Sequence, residues 1–215
     1  MIANPNTASD RYGRSMGLLG RFLADRLRQR IPSATDTLLV CTAEDADFLV
    51  QGLLDELTSH IPELRLACFW NLRTRPSTKH PIGIDLDVAP IVRRYEEPSK
   101  GKLDFVIIAK SVISSGCVVR HNILDIVDRN KPKKIFVVSP VILEGADTRL
   151  RSEFPPNIAR KMEFIYFAVD NIKDENGFLK PGIGGSIYQR LGFENSAKNY
   201  TPELVRTRRQ RLANL

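Results

Sequence analysis

The chain has 215 residues, of which 42% are hydrophobic, and it carries a formal net charge of +7. This length and apolar content suit one large α/β domain, or one domain with a small appendage. No apolar run approaches the roughly 18 residues of a membrane span, and residues 1–10 lack the apolar core of a secretory signal. The positive charge favours anionic partners, such as phosphates or nucleic acid.

Three cysteines, Cys41, Cys68 and Cys117, lie within apolar segments. We predict that they are buried free thiols in a reducing compartment, which indicates a cytoplasmic protein. Neither these cysteines nor the three widely separated histidines have the spacing of a metal site, so no metal ligand is assigned.

The first 71 residues predict a helix followed by a strand–helix–strand unit. Apolar residues at helical spacing predict a helix over 12–30, with Asp10 as its N-cap. Short apolar runs predict buried strands over 36–42 and 65–71, and a turn at 43–46 leads into the amphipathic helix between them. This order of elements indicates parallel strands.

Residues 72–100 interrupt the pattern, because basic residues and prolines replace the apolar periodicity. Only 82–84 and 89–92 are apolar. A segment of this length without periodicity is typical of a functional or mobile loop, and a plain surface hairpin is the alternative.

The sequence of residues 105–119 predicts a strand, a turn and the start of a helix. Its β-branched run predicts a buried strand, Ser114, Ser115 and Gly116 predict a tight turn, and apolar residues at helical spacing follow as far as about residue 130. Such a turn presents backbone N–H groups and the positive end of a helix dipole, which suits a phosphate. An ordinary strand-to-helix turn is the alternative.

Strands and helices continue to alternate along the chain, which predicts a doubly wound α/β fold with a mostly parallel sheet. Strands are predicted at 133–139 and 163–169 and a short helix at 146–154. A turn at 174–177, a glycine-rich segment over 178–193 and a basic tail that is helical after Pro202 follow. In this fold one edge of the sheet should carry the turns that follow Thr42, Asn71, Lys110, Ser139 and Asp170.

Arginines are concentrated near both ends of the chain, within 11–30 and 206–211. We interpret both clusters as solvated helix faces, because no aromatic residues are interleaved as on a surface that binds single-stranded nucleic acid.

Two segments resemble the type I phosphoribosyltransferase family. Residues 105–119 are similar to its signature for phosphoribosyl diphosphate (PRPP). Residues 169–192 resemble the uracil-binding segment of uracil phosphoribosyltransferases, with an Asp, an Asn-Gly turn, an aromatic residue, Pro-Gly-aliphatic-Gly and a terminal Gly. The resemblance covers roughly residues 36–195. It implies a helical extension at 1–35, an α/β core at 36–170, and a small C-terminal hood at 171–215 that combines a base-binding segment and the tail.

The resemblance also implies roles for individual residues. The cradle for the 5′-phosphate would be formed by Ser114, Ser115, Gly116, Cys117 and Val118. Arg73 would reach a phosphate, and residues 74–95 would be a mobile loop. The base would be bound by Leu179, Gly182, Gly184 and Gly185. In this family Mg²⁺ is bound with PRPP, the protein is a homodimer, and the base nitrogen displaces diphosphate without a protein nucleophile, so no catalytic residue is assigned.

Three positions depart from the family pattern, and all three change electrostatics. Lys110, next to Ser111, stands where the family has an acidic residue that holds the ribose hydroxyls. Glu44 and Asp45 lie in the expected diphosphate loop, and Gly185 replaces an Asp. Either the acidic pair takes over a metal or hydroxyl role, or the substrate is no longer PRPP.

Three functions therefore remain open. The chain binds a nucleotide or phosphorylated ribose with catalysis altered or lost, or it is an active uracil phosphoribosyltransferase that makes UMP. The third is a non-enzymatic subunit that uses its basic termini to contact nucleic acid or protein.

Overall fold

A computed structural model describes residues 2–4, 6–72, 88–98, 102–173, 179–180, 187–193 and 200–214. The helices are α1 (Ser9–Arg28), α2 (Ala43–Asp45), α3 (Gln51–Leu57), α4 (Cys117–Asn130), α5 (Ala146–Ser152), α6 (Pro156–Ala159), α7 (Ile187–Arg190) and α8 (Glu203–Ala213). A π-helical segment, Ala46–Val50, joins α2 to α3. The strands are β1 (Thr37–Thr42), β2 (Arg65–Asn71), β3 (Ile91–Glu96), β4 (Phe105–Ala109), β5 (Val112–Ile113), β6 (Lys134–Leu143), β7 (Met162–Asp170), β8 (Ile172–Lys173) and β9 (Leu179–Lys180).

The main sheet runs in the order β3-β2-β1-β4-β6-β7, and β5 pairs with β6 beyond the end of β4. All pairs in it are parallel except β2–β3, which confirms the doubly wound, mostly parallel fold. The short β8–β9 pair forms a separate two-stranded sheet that follows β7.

The central strands are buried on both faces because helices cover both sides. Every residue of β1 is buried, and its side chains alternate between two cores. Leu39 and Cys41 join the core under α1 and α3, whereas Leu38 and Val40 join the core under α4 and α5. This is why the strands read as continuous apolar runs.

Helices α1 and α3 pack closely enough to require glycine at their crossing. A Cβ added at Gly20 would clash with the Leu49 backbone carbonyl, and one added at Gly52 would clash with the Gly17 carbonyl. The N-terminal helix therefore packs directly on the α/β core.

Several sequence-based boundaries are corrected by the structure. Asp10 is not the N-cap of α1, because the helix already starts at Ser9 after Ala8, and Asp10 pairs with Arg14 in the first turn. The turn predicted at 43–46 is the start of a helix, since α2 begins at the first residue after β1.

The loop predicted over 74–95 is also corrected in part. Residues 74–87 lie outside the described residues, but 91–95 belong to β3. Strand β3 lies at the sheet edge, and its residues alternate in exposure, so its sequence lacks the continuous apolar run of a central strand.

Strand β6 continues past the predicted end at Ser139, through Pro140. It pairs with β4 up to Val138 and with β5 from Val141, so Pro140 falls between the two ladders. A proline is tolerated there because no ladder hydrogen bond needs its missing N–H.

The C-terminal helix is docked onto the core. Carboxylate oxygens of Asp47 accept hydrogen bonds from the backbone N–H groups of Glu203 (3.0 Å) and Leu204 (2.9 Å), and from the Tyr200 hydroxyl. Leu204 and Val205 are buried, whereas Leu212 is exposed. The terminal arginines are mostly exposed, as predicted, although Arg208 lies near Glu97.

The three cysteines are free and buried, as predicted. Among the described residues, no helix is both long and apolar enough to cross a membrane.

Candidate functional site

The carboxyl ends of β1, β2, β4 and β7 meet at one edge of the sheet, because these strands are parallel neighbours. This edge carries the residues that follow Thr42, Asn71, Lys110 and Asp170, as predicted. The predicted turn after Ser139 is wrong, since β6 extends to Leu143. In doubly wound sheets this edge is where ligands bind.

The segment between β4 and α4 forms the candidate phosphate cradle, residues 114–118. Gly116 is the N-cap of α4 and has a φ of 75°, and a Cβ there would approach Leu150 Cδ1 to 3.3 Å. Only glycine adopts this backbone without strain, which explains its place in the turn. The turn leads directly into a 14-residue helix, whose first N–H groups have no partner within the helix.

Exposure differs along the cradle. Ser115 is exposed and Ser114 half-buried, whereas Cys117 and Val118 are buried. The cavity behind the turn, lined by Lys110 and by residues 112–119 except Ser115, holds only about 10 Å³. The two serines are therefore the solvent-accessible part of this segment.

Next to the cradle, Lys110 forms a buried cluster with two carboxylates, which we call the rim charge cluster: Glu44, Asp45 and Lys110. Lys110 Nζ lies 2.9 Å from Glu44 Oε1 and 2.6 Å from Asp45 Oδ2. Only 6% of the Lys110 side chain and 1% of the Asp45 side chain are exposed, against 19% for Glu44. Two of the departures from the family pattern, Lys110 and the acidic pair, therefore form ion pairs with each other.

Further hydrogen bonds hold Asp45. Its Oδ2 accepts from the Thr42 hydroxyl at 2.7 Å, and its Oδ1 accepts from the Ser111 backbone N–H at 3.2 Å. These contacts tie the start of α2 to the end of β4.

The cluster shifts the pKa values of its members in opposite directions. Burial alone would raise the pKa of Glu44, but the charge and hydrogen bond of Lys110 outweigh it and lower that pKa. Burial alone would lower the pKa of Lys110, but Asp45 and Glu44 outweigh it and raise that pKa. Both groups are thus held in their charged forms around neutral pH.

Three buried polar atoms at this edge have no hydrogen-bond partner among the described residues. They are Asn71 Oδ1, Ser111 Oγ and Asp170 Oδ2, which follow or end β2, β4 and β7 respectively. Buried polar atoms are nearly always paired in native proteins. These atoms are candidate contacts for a ligand at the carboxyl edge.

The C-terminal segment reaches the same edge. Leu179, predicted to bind a base, is buried in β9. Tyr188 in α7 lies close to Glu44, and its pKa is raised first by burial and then by the Glu44 carboxylate. Gly182, Gly184, Gly185 and Arg73 lie outside the described residues.

The structure thus brings together Glu44, Asp45, Lys110 and Ser111 beside residues 114–118. Sequence reasoning did not assign Thr42, Tyr188 or Asp170 to the site. Asp170 was visible as part of the C-terminal resemblance, whereas no local pattern links Thr42 or Tyr188 to Lys110.

Known proteins resemble this chain in sequence and in fold. No family model matches the chain. It is 31% identical over 155 residues to a uracil phosphoribosyltransferase of Sulfolobus acidocaldarius, covering 72% of the chain and 66% of that relative. It is 29% identical over 144 residues to a uracil phosphoribosyltransferase of Sulfurisphaera tokodaii, covering 67% and 61%. The chain thus spans slightly less than two thirds of the length of these relatives.

A solved structure, the AQ2163 protein from Aquifex aeolicus, matches over 91% of this chain and 92% of its own, with a TM-score of 0.69. At 15% sequence identity this match shows a shared fold and nothing more.

Proposed function

Since the chain belongs to the type I phosphoribosyltransferase family, we propose that it binds a nucleotide or phosphorylated ribose of the uracil, UMP or PRPP class, with catalysis altered or lost. The observation that supports this proposal is the rim charge cluster, in which a paired lysine lies beside the turn 114–118 that we propose as the phosphate cradle.

The cradle supplies what a 5′-phosphate needs. The hydroxyls of Ser114 and Ser115 can donate hydrogen bonds, and the first turn of α4, from Gly116 to Val118, adds N–H groups and the helix dipole. Arg73 would add a positive charge, and the base would bind near Leu179 and the glycines of 182–185.

The same cluster explains why catalysis would be altered. The family's carboxylate is absent at position 110, and the Glu44 and Asp45 carboxylates are paired with Lys110, so no free carboxylate of the cluster is left to hold the ribose hydroxyls. One lost electrostatic contact in a preorganised site lowers the rate by about 10²–10³. Several such losses do not add independently, but together they would remove most of the rate advantage.

Magnesium chemistry does not fit the described carboxylates. Glu44 and Asp45 would be natural oxygen ligands, but both are bound to Lys110, and Asp45 also accepts from Thr42 and Ser111. A cation would have to displace a buried ammonium from them.

Ligand-dependent thermal stability tests the proposal. We expect UMP or another phosphoribosyl ligand to raise the melting temperature, since a ligand at 100 times its Kd adds about 2.7 kcal/mol to the free energy of unfolding. Uracil, UMP, UTP and PRPP are each measured with and without Mg²⁺. If none of them shifts the transition, the proposal is wrong.

A pair of glycine variants places the binding at the cradle. Gly116 and Gly145 both have positive φ, of 75° and 70°, and each is the N-cap of a helix. Gly116→Ala and Gly145→Ala should lower stability similarly, because both force alanine into the left-handed region. Only Gly116→Ala should abolish the ligand-induced shift.

An active transferase is the second candidate, and the names of the curated relatives favour it. In that case the wild type must form UMP and diphosphate from uracil and PRPP. Lys110→Asp alone is a poor test of lost activity, because it would place three carboxylates together. The variant Lys110→Asp/Glu44→Gln/Asp45→Asn restores an acidic residue at position 110 without that repulsion. If this variant forms UMP and the wild type does not, the wild type is a former enzyme.

A homodimer is the proposed assembly. Exposed apolar side chains occur on α1, at Leu18 and Phe22, and on β7, at Phe167 and Val169. Helix α1 packs against β7, and edge strands with apolar exposed faces are common association surfaces.

A further inference from the structure

A cavity of about 670 Å³ lies at the amino edge of the sheet, on the side opposite the phosphate cradle. The loops that lead into β1 and β2, the end of β3 and the last turn of α8 line it. We call it the amino-edge cavity, and its lining consists of residues 33–36, 59–60, 62–63, 65, 97–98 and 212. Its volume is within the range of roughly 300–1,000 Å³ that is typical of small-molecule sites.

Four side-chain donors of this lining are used within the protein. The hydroxyls of Thr35 and Ser59 each donate to the backbone carbonyl three residues earlier, at 2.9 and 3.0 Å. His60 Nε2 donates to a backbone carbonyl at 2.7 Å. Arg65, the only arginine or lysine in the described lining, donates from both Nε and Nη2 to Asp36 Oδ1.

Hydrogen-bond acceptors are left over in the same lining. Glu63 is exposed, and its carboxylate has no partner among the described residues. Asp36 Oδ2 accepts no hydrogen bond in that part of the chain, because Arg65 uses Oδ1. Since His60 Nε2 carries a proton, the neutral ring keeps Nδ1 as an acceptor. A ligand of this cavity must therefore supply donors.

The third carboxylate of the lining, Glu97, is already occupied. It accepts from the Leu66 backbone N–H at 2.8 Å and from the Tyr95 hydroxyl at 3.0 Å, and Arg208 lies 3.4 Å away. The nearby cations of α8, Arg208 and Arg209, are directed at Glu97 and at the Tyr95 ring, and neither lines the cavity. The free acceptors are thus those of Glu63, Asp36 and His60.

The helix backbone also favours a positive charge here. The continuous helical stretch 43–57 ends just before Ser59 and His60, and the last turn of α3 contains no basic residue. The C-terminal end of a helix carries a partial negative charge, which favours a cation. The remaining wall is apolar, with Ala34, Pro62, Pro98 and Leu212.

We propose that the amino-edge cavity binds aliphatic diamines and polyamines. Glu63 and Asp36 Oδ2 bind the ammonium groups, His60 Nδ1 is a further acceptor, and the methylene chain packs on the apolar wall. Anionic ligands are disfavoured, since they would bring acceptors to acceptors. The cavity lies at the opposite edge of the sheet from the cradle, so the inference does not rest on the proposed nucleotide binding.

Calorimetric titration with diaminobutane, butanediol and succinate tests the ligand class. The three probes share a chain of the same length and differ in whether its ends are cationic, neutral or anionic. We expect diaminobutane to bind at least about tenfold more tightly than butanediol, because a hydrogen bond to a charged group is stronger than one between neutral groups. Succinate should not bind. If butanediol or succinate binds as tightly as diaminobutane, or if diaminobutane and spermidine do not bind at millimolar concentration, the inference is wrong.

A pair of carboxylate variants tests the location. Glu63→Gln changes an exposed side chain without a described partner, so the fold should persist, and diaminobutane should bind about tenfold more weakly. Asp128→Asn is the control, because Asp128 is equally exposed and without a described partner but lies on α4, and it should keep the wild-type affinity. Equal affinities of the two variants would mean that the amine binds to negative surface charge in general.

Histidine NMR signals provide a readout that does not depend on a variant. The chain has three histidines, and only His60 lines this cavity among the described residues, whereas His121 lies on α4. Adding diaminobutane should shift the ring signals of His60 and leave those of His121 unchanged. If the amine binds without shifting His60, it occupies another site and the inference is contradicted.

Discussion

At the scale of single residues, Lys110 is the centre of the rim charge cluster. Its ammonium is buried at the end of β4, and two carboxylates from α2 are its partners. A buried ion pair adds little net stability compared with an apolar replacement, but removing one partner leaves an uncompensated charge. The cluster therefore ties α2 to β4 without adding much net stability.

Replacing Lys110 alone should be strongly destabilising. Lys110→Met leaves Glu44 and Asp45 facing each other without a cation, and we expect a loss of about 3–5 kcal/mol in the free energy of unfolding. The triple variant Glu44→Gln/Asp45→Asn/Lys110→Met should recover most of that loss. Urea denaturation of the two variants measures both values, and equal stability of the two would contradict this account.

The contribution of the cluster to the free energy of unfolding should be constant over a range of pH. Glu44 has a lowered pKa, so its contribution is complete above its ordinary value of 4.5 and is lost as the pH falls through the folded value. Lys110 has a raised pKa, so its contribution is complete below 10.5 and is lost as the pH rises through the folded value. The difference in free energy of unfolding between the wild type and the triple variant should thus be constant between about pH 5 and pH 10. It should decrease below about pH 5 and above about pH 10. Thermal scans across pH measure this difference, and a slope within that window would contradict it.

At the scale of elements, the two terminal helices are held on the core in different ways. Close backbone approach holds α1, and a side-chain cap holds α8. α1 crosses α3 at glycine contacts. The first N–H groups of α8 donate to the carboxylate of Asp47, which lies in the π-helical segment, far away in sequence. Both helices meet the segment 43–57, which also supplies the carboxylates of the rim charge cluster.

Two glycines of α1 form a matched pair for testing the helix crossing. A Cβ at Gly20 meets the backbone of Leu49, whereas a Cβ at Gly17 comes no closer than 3.7 Å to the Phe48 carbonyl oxygen. Gly20→Ala should lower stability by about 1–3 kcal/mol, because rigid backbone must move. Gly17→Ala should be neutral or stabilising by up to about 1 kcal/mol, since alanine favours the helix. Chemical denaturation distinguishes them, and a neutral Gly20→Ala would show that the helices separate easily.

Asp47 should control the docking of α8. Asp47→Ala removes the acceptor for the N–H groups of Glu203 and Leu204, and we expect a loss of about 1–2 kcal/mol with faster amide exchange in α8. Asp55→Ala is the control, since its ion pair with Arg21 is more exposed and should contribute less than about 1 kcal/mol. Unchanged exchange in α8 would mean that buried Leu204 and Val205 hold the helix without the cap.

At the scale of the whole molecule, two layers of helices cover the central strands but not all of β7, an outermost strand of the sheet. Four consecutive residues of β7, from Tyr166 to Val169, are exposed. The opposite edge strand, β3, carries charged side chains such as Arg94, which pairs with Asp125. Charge on an edge strand discourages association, so the two edges have different roles.

The proposed homodimer should depend on the apolar edge. Phe167→Glu places a charge on an exposed apolar residue of β7, which should shift the protein to a monomer in light scattering. Val92→Glu, on an exposed residue of β3, is the control and should leave the mass unchanged. If the wild type is monomeric at micromolar concentration, or if both variants keep the dimer, this face is not the interface.

The sequence by itself determined the elements whose signal is local. Continuous apolar runs identified the central strands, because these are buried on both faces, and Gly116 identified the turn before α4, because its backbone has positive φ. The edge strand β3 and the passage of β6 through Pro140 were missed. Their pairing depends on neighbours, and their own sequence shows no periodic pattern.

Only the tertiary structure decided what the charged residues do. Lys110 meets Glu44 and Asp45 across 66 and 65 positions of the chain, and Tyr200 and α8 reach Asp47 across more than 150. Read along the sequence, the lysine and the acidic pair are two separate departures from a family pattern. Folding places them within 3 Å, where their charges compensate, because parallel strands bring their carboxyl ends to one edge.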